Sequence, residues 1–120
     1  MTHILAVDDS PSMRDMVRIA LSAAGFEVSQ AADGEEALEL ARKQSFDLVL
    51  SDVNMPRMDG IALIRALRAE PAYRHTPILM LTTESSPERK REGKEAGATG
   101  WIVKPFDPEQ LVATMKRVLR

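Results

Sequence analysis

Apolar residues gather in short runs separated by longer segments with a helical period. Ile4–Val7, Leu48–Leu50, Ile78–Leu81 and Trp101–Val103 are each bounded by polar or turn residues, and continuous runs this short predict buried strands. Phe26–Ala31 alternates apolar with polar residues, the pattern of a half-exposed edge strand. Between the runs the period changes. Met13, Met16, Val17, Ala20 and Ala24 fall at i, i+3, i+4, i+7 and i+11, and Leu111, Val112, Met115, Val118 and Leu119 make a second stripe. Both predict helices with one apolar face. Ser10-Pro11, Ser86-Pro87 and Asp107-Pro108 put a capping side chain before a proline whose φ is already helical. Asp33 with Glu36 matches a capping box, and Gly25 and Gly97 stand where helices would stop. Strand and helix thus alternate five times. That predicts an α/β fold, with a parallel sheet, helices on both faces and right-handed crossovers.

Composition narrows the function. The 120 residues suit one domain spanning 1–120, and 44% are hydrophobic, enough for a core that buries about two thirds of the unfolded surface. Eighteen acidic against sixteen basic residues leave a net charge of −2, which argues against a nucleic-acid partner. Aromatics at 4% are too few to stack bases. Cysteine is absent, which excludes disulfides, thiolate metal sites and cysteine nucleophiles. His3 and His75 have no metal-ligand spacing, and no apolar run reaches the roughly 18 residues of a membrane span. Asp8 and Asp9 interrupt the first apolar run, so the N-terminus does not read as a signal peptide. A cytoplasmic protein without nucleic-acid or membrane partners is the expectation.

In an open parallel sheet, ligands bind outside the carboxyl ends of the strands. The first strand is followed by Asp8 and Asp9, the third by Asp52, the fourth by Thr82 and the fifth by Lys104. Three carboxylates converging without partners would raise one another's pKa. A divalent cation removes that repulsion, and an all-oxygen set favours Mg²⁺, Mn²⁺ or Ca²⁺ over zinc. A lysine and a hydroxyl facing the metal suit a phosphoryl group, whose oxygens need cations and donors.

Those residues carry a resemblance. Asp8-Asp9, Asp52-Val53-Asn54-Met55-Pro56 with Met58-Asp59-Gly60, Thr82-Thr83-Glu84 and Lys104-Pro105-Phe106 are similar to the signature of the response-regulator receiver domain. The resemblance spans the whole chain and is nearest the stand-alone CheY type used in chemotaxis, with no output domain. It implies a flavodoxin-like (βα)5 fold of strand order 2-1-3-4-5. It also implies a two-component signalling switch and not an enzyme in the ordinary sense. Asp52 would accept a phosphoryl group from a histidine kinase of the CheA type. Mg²⁺, with Mn²⁺ as a substitute, would be held by Asp9, Asp52 and the main-chain carbonyl of Asn54, with Asp8 acting through water. Lys104 would pair with the phosphoryl oxygens, and the Thr82 hydroxyl would swing towards them. Thr82 and the aromatic ring of Trp101 would form the switch, while Asn54 and Glu84 would govern the lifetime of the phosphorylated state. The implied partner is a flagellar motor switch protein or another signalling protein, bound by a monomer. A phosphate sink or a receiver outside chemotaxis are alternatives within the family.

Two other classes fit less well. Phosphohydrolases that form an aspartyl phosphate with Mg²⁺ place nucleophile and acid two residues apart after the first strand, whereas Asp8 and Asp9 are adjacent. A nucleotide-binding module needs a glycine-rich turn there, and Asp8–Ser12 contains no glycine. Taken singly, these residues read as a turn, a strand end or a cap; it is their convergence on one sheet edge that argues against the bland reading. The seven methionines read as core fillers, His75 as a surface residue, and Gly60 and Pro56 as loop formers. Glu84–Glu95 carries four acids and four bases and reads as a solvated face. Lys116, Arg117 and Arg120 suit a helix C-terminus. The helix at Pro87–Ala96 is nearly all charged with Gly93 at its middle, which predicts a marginal element.

Overall fold

The five apolar runs pair as one parallel sheet. In the computed structural model, which describes residues 1–119, the strands are β1 (His3–Val7), β2 (Glu27–Ala31), β3 (Leu48–Ser51), β4 (Ile78–Thr82) and β5 (Gly100–Val103), in the order β2-β1-β3-β4-β5. The helices among the described residues are α1 (Pro11–Ala23), α2 (Gly34–Lys43), α3 (Gly60–Arg68), α4 (Pro87–Ala96) and α5 (Pro108–Val118). The expected flavodoxin-like fold is therefore observed. Arg120 lies outside the described residues, while Lys116 and Arg117 occupy the last turn of α5.

Capping follows the sequence. Ser10, Asp33, Ser86 and Asp107 each accept a backbone N–H of the first helical turn, from Met13, Glu36, Arg89 and Glu109. Gly25 and Gly97 follow α1 and α4 at φ 94° and 114°, a region that costs glycine nothing.

Successive strand residues point to opposite faces, and each face has its own core. Leu5, Val7, Val49 and Met80 pack with α2 and α3, through Ala37, Leu38, Ile61 and Ile64. Ile4, Leu48, Leu50 and Leu81 pack with α1 and α5, through Val17, Leu21, Leu111 and Met115.

Three details depart from the expectations. The run at Trp101–Val103 is an edge strand, partly exposed along its length, and not a buried one; a short apolar run looks the same in either place. Met16 is 53% exposed, because the buried stripe of α1 runs through Val17 and Leu21. Met1 is exposed as well, so the methionines are not uniformly core fillers, although Met80 and Met115 are completely buried. His75 is exposed, as expected. The charged α4 forms its full length, and Gly93 is its one buried residue.

Candidate functional site

Strand register brings the polar ends together. Val7 stands opposite Ser51, so the next residues, Asp8 and Asp52, emerge side by side at the edge of the sheet. The Asp52 N–H donates to the Val7 carbonyl at 2.9 Å, and the Asp8 N–H to that of Ala31 at 3.1 Å. Thr82 stands opposite Val103, and the Lys104 N–H donates to the Thr82 carbonyl at 2.8 Å. The long lysine side chain then crosses back over the strand ends.

The Lys104 ammonium lies 2.7 Å from Asp8 Oδ2 and 3.4 Å from Asp52 Oδ2. All three side chains are nearly enclosed, Lys104 at 9%, Asp8 at 8% and Asp52 at 11% exposure. At that depth a charge requires a partner. The remaining oxygens are oriented by the main chain: Asp52 Oδ1 accepts from the Val53 N–H at 2.7 Å, and Asp8 Oδ1 from that of Ser10 at 2.9 Å. Asp9 is exposed, yet carboxylate oxygens of Asp8, Asp9 and Asp52 lie within 4.8 Å of one another. One ammonium against three carboxylates leaves a deficit of positive charge. The donor set is wholly oxygen and opens to solvent through Asp9, so it fits a hard divalent cation such as Mg²⁺.

Thr82 is fully buried, and its Oγ1 accepts from the Glu84 N–H at 3.1 Å. The Trp101 indole N–H donates to the Glu84 carbonyl at 2.9 Å. The main chain of Glu84 therefore joins the threonine to the tryptophan, a link that sequence spacing could not reveal. The Glu84 carboxyl is held below the usual carboxylate range, first by the Ser86 backbone N–H, with smaller help from the Asn54 amide. Asn54 and Glu84, paired in the sequence reading only by role, are thus neighbours.

The tertiary structure adds further participants. Arg14 donates to the Asp8 carbonyl at 2.6 Å, bringing a guanidinium to the acidic edge from α1. Gly60 is more than a loop former, because a Cβ there would lie 2.1 Å from the Asp52 carbonyl oxygen. Asp59 caps α3 through the Ala62 N–H and faces Arg89 of α4 at 3.8 Å. Arg57, also in this loop, pairs with Asp33 at the start of α2.

Residues 4–116 match the response regulator receiver domain family. A structure of the chemotaxis response regulator CheY4 of Vibrio cholerae is 58% identical, covers 98% of each chain and superposes with a TM-score of 0.95. The receiver domain of a sensor histidine kinase from Pseudomonas aeruginosa, whose active-site cleft coordinates a magnesium ion, is 30% identical over 98% of this chain and 97% of its own, with a TM-score of 0.91. Among curated proteins, the transcriptional regulatory protein SrrA of Staphylococcus aureus is 39% identical over 98% of this chain and 48% of its own length. The chain thus spans about half the length of the curated relatives it matches.

Proposed function

This chain belongs to the response regulator receiver domain family, and on that premise we propose that it is a phosphorylation switch with Asp52 as the phosphoryl acceptor. The observation that supports this most directly is the Asp52 carboxylate, set between the Lys104 ammonium and the oxygens of Asp8 and Asp9. In the reaction a carboxylate oxygen of Asp52 attacks the phosphorus of a phosphohistidine. The P–N bond breaks, and the imidazole leaves with the electron pair. Lys104 neutralises the incoming oxygens, letting one anion approach another. Asp8, Asp9, Asp52 and the Asn54 carbonyl would hold Mg²⁺, whose chemistry is charge neutralisation at the transferring group. The Thr82 hydroxyl releases the Glu84 N–H and turns to the phosphoryl oxygens. Water later attacks phosphorus, expelling the carboxylate and resetting the switch, with Asn54 and Glu84 at the mouth controlling its approach.

For the setting, the chemotaxis reading is favoured by the 58% identity over nearly the whole of a chemotaxis regulator. The partners on that reading are a CheA-type histidine kinase and a flagellar motor switch protein. A phosphate sink is the second reading within chemotaxis. A receiver outside it draws support from the transcriptional relatives. The chain acts as a single receiver domain over residues 1–120, and among its described residues no helix is long and apolar enough to cross a membrane.

The test is phosphorylation from acetyl phosphate with Mg²⁺. Wild type gains hydroxylamine-sensitive phosphate and Asp52→Asn gains none. Undiminished labelling of Asp52→Asn would place the acceptor elsewhere. Beryllofluoride-dependent binding to a flagellar motor switch protein separates the motor reading from the other two.

A further inference from the structure

The loop from β3 to α3 carries a strained residue next to the site. Among the described residues Arg57 is the single non-glycine residue with a positive φ, 65°. The Met58 N–H donates to the Pro56 carbonyl at 2.8 Å, only two residues back, so Arg57 is the centre of a three-residue turn in its strained, positive-φ form. Such a conformation persists at a non-glycine residue only where its surroundings hold it. Glycine would satisfy the backbone at lower cost, so the arginine side chain calls for a role of its own.

That side chain reaches the start of α2. Its Nη2 donates to Asp33 Oδ2, and its Nε lies 3.6 Å from Glu35. Asp33 is 3% exposed, and its other oxygen caps α2 by accepting the Glu36 N–H at 3.0 Å. Beside this pair, the Gly34 N–H donates to the Met58 carbonyl at 3.1 Å, and a Cβ on Gly34 would lie 2.6 Å from that oxygen. Arg57 and Met58 are therefore clamped to Asp33 and Gly34 at two adjacent points. Val53 is fixed by the Gly60 N–H donating to its carbonyl at 2.8 Å. Between these anchors stands Asn54, exposed, with no main-chain hydrogen bond of its own among the described residues. Its position is set by the ends of the loop.

We propose that Arg57 is a positioning residue: pinned to Asp33, it holds the β3–α3 loop in its strained turn and thereby fixes the Asn54 main-chain carbonyl relative to Asp9 and Asp52. The inference rests on the proposed reading of that carbonyl, with Asp9 and Asp52, as metal ligands. If the clamp is released, the turn relaxes towards ordinary φ and the carbonyl leaves its place.

Mn²⁺ alone, titrated into the unphosphorylated protein and followed by electron paramagnetic resonance, tests this. Arg57→Gly removes the clamp and the strain together, so relief of the turn offsets part of the cost of leaving Asp33 unpaired, while Mn²⁺ affinity falls about tenfold, the scale of outer-shell partners. Amide exchange at Met58 and Gly34 should quicken. Asp33→Asn keeps a capping oxygen and loses the charge, so it should reproduce the affinity loss, and the double variant should lose no more than either single one. Arg57→Lys should restore part of the affinity. Wild-type Mn²⁺ affinity in Arg57→Gly overturns the proposal. In parallel, wild type is assayed for phosphate uptake. No uptake with the Mn²⁺ results as expected overturns the acceptor reading alone, and no Mn²⁺ binding by wild type overturns both.

Discussion

The six-membered ring of Trp101 occupies the space that a side chain on Gly93 would need. A Cβ built on Gly93 would lie 2.7 Å from Trp101 Cζ3 and 3.2 Å from Cε3. The helix-weakening glycine of α4 is thus the seat of an indole lying against the helix, with its N–H bonded to the Glu84 carbonyl. On propensity alone this glycine costs about 1 kcal/mol relative to alanine. In the folded protein the packing of Trp101 offsets that cost.

The sign of a Gly93→Ala substitution should consequently depend on Trp101. In wild type the methyl group displaces the ring, so emission shifts to the red and the substitution is neutral or destabilising. In a Trp101→Ala background the same substitution should stabilise by about 1 kcal/mol, the propensity gain alone. Emission spectra of the two proteins that keep Trp101, and urea melts of all four followed by circular dichroism, check this. Equal effects in both backgrounds would show that the two residues are not coupled.

Because one residue, Glu84, joins Thr82 Oγ1 to the Trp101 indole through its N–H and its carbonyl, drawing the hydroxyl away should be felt at the ring. Mg²⁺ with beryllofluoride should shift Trp101 emission. Thr82→Ala should still take up phosphate yet lose much of the shift, since it has no hydroxyl to exchange partners. A full shift in Thr82→Ala would require another route.

Lys104→Ala should leave Asp8 and Asp52 without their ammonium. Breaking an enclosed charge pair is costly, and at this solvent-facing edge we expect a loss of about 1–3 kcal/mol of stability without metal. Added Mg²⁺ should then raise the melting temperature more than in wild type, because it binds only the folded cluster. Phosphorylation should nonetheless slow. An unchanged Mg²⁺-induced melting shift would exclude Lys104 from the charge balance of the site.

Acid stability should respond to Asp33. Its carboxyl is held below its ordinary value of 3.8, first by the Glu36 backbone N–H and then by Arg57. A depressed folded-state pKa contributes stability above the unfolded value, and that contribution disappears as the pH falls through the folded value. Between neutrality and pH 5 the contribution is therefore complete, and below about pH 4 wild type should lose stability more steeply than Asp33→Asn. Denaturant midpoints measured across that range check the slope; parallel curves would assign the acid sensitivity to other carboxylates.

The sequence by itself determined what depends on near neighbours. Apolar period distinguishes strand from helix, and Ser10, Asp33, Ser86 and Asp107 mark the starts of four helices because a cap needs only the next turn. The polar residues closing the strands, Asp8, Asp52, Thr82 and Lys104, were legible for the same reason, since parallel strands all deliver their carboxyl ends to one edge. The strand order came from resemblance and not from periodicity. Tertiary structure alone decided the rest. Whether Trp101–Val103 lies inside or at the edge of the sheet depends on which strand pairs with it. The positive φ of Arg57 depends on Asp33, 24 residues away. Arg68 donates to carbonyls of Tyr73, Thr76 and Gly97 at once, an arrangement no local pattern encodes. Gly93 read as a defect because its partner is a ring on another element. Local propensity is written in adjacent residues, whereas the energy of these contacts exists only after the chain has closed loops that bring distant residues within a few ångströms.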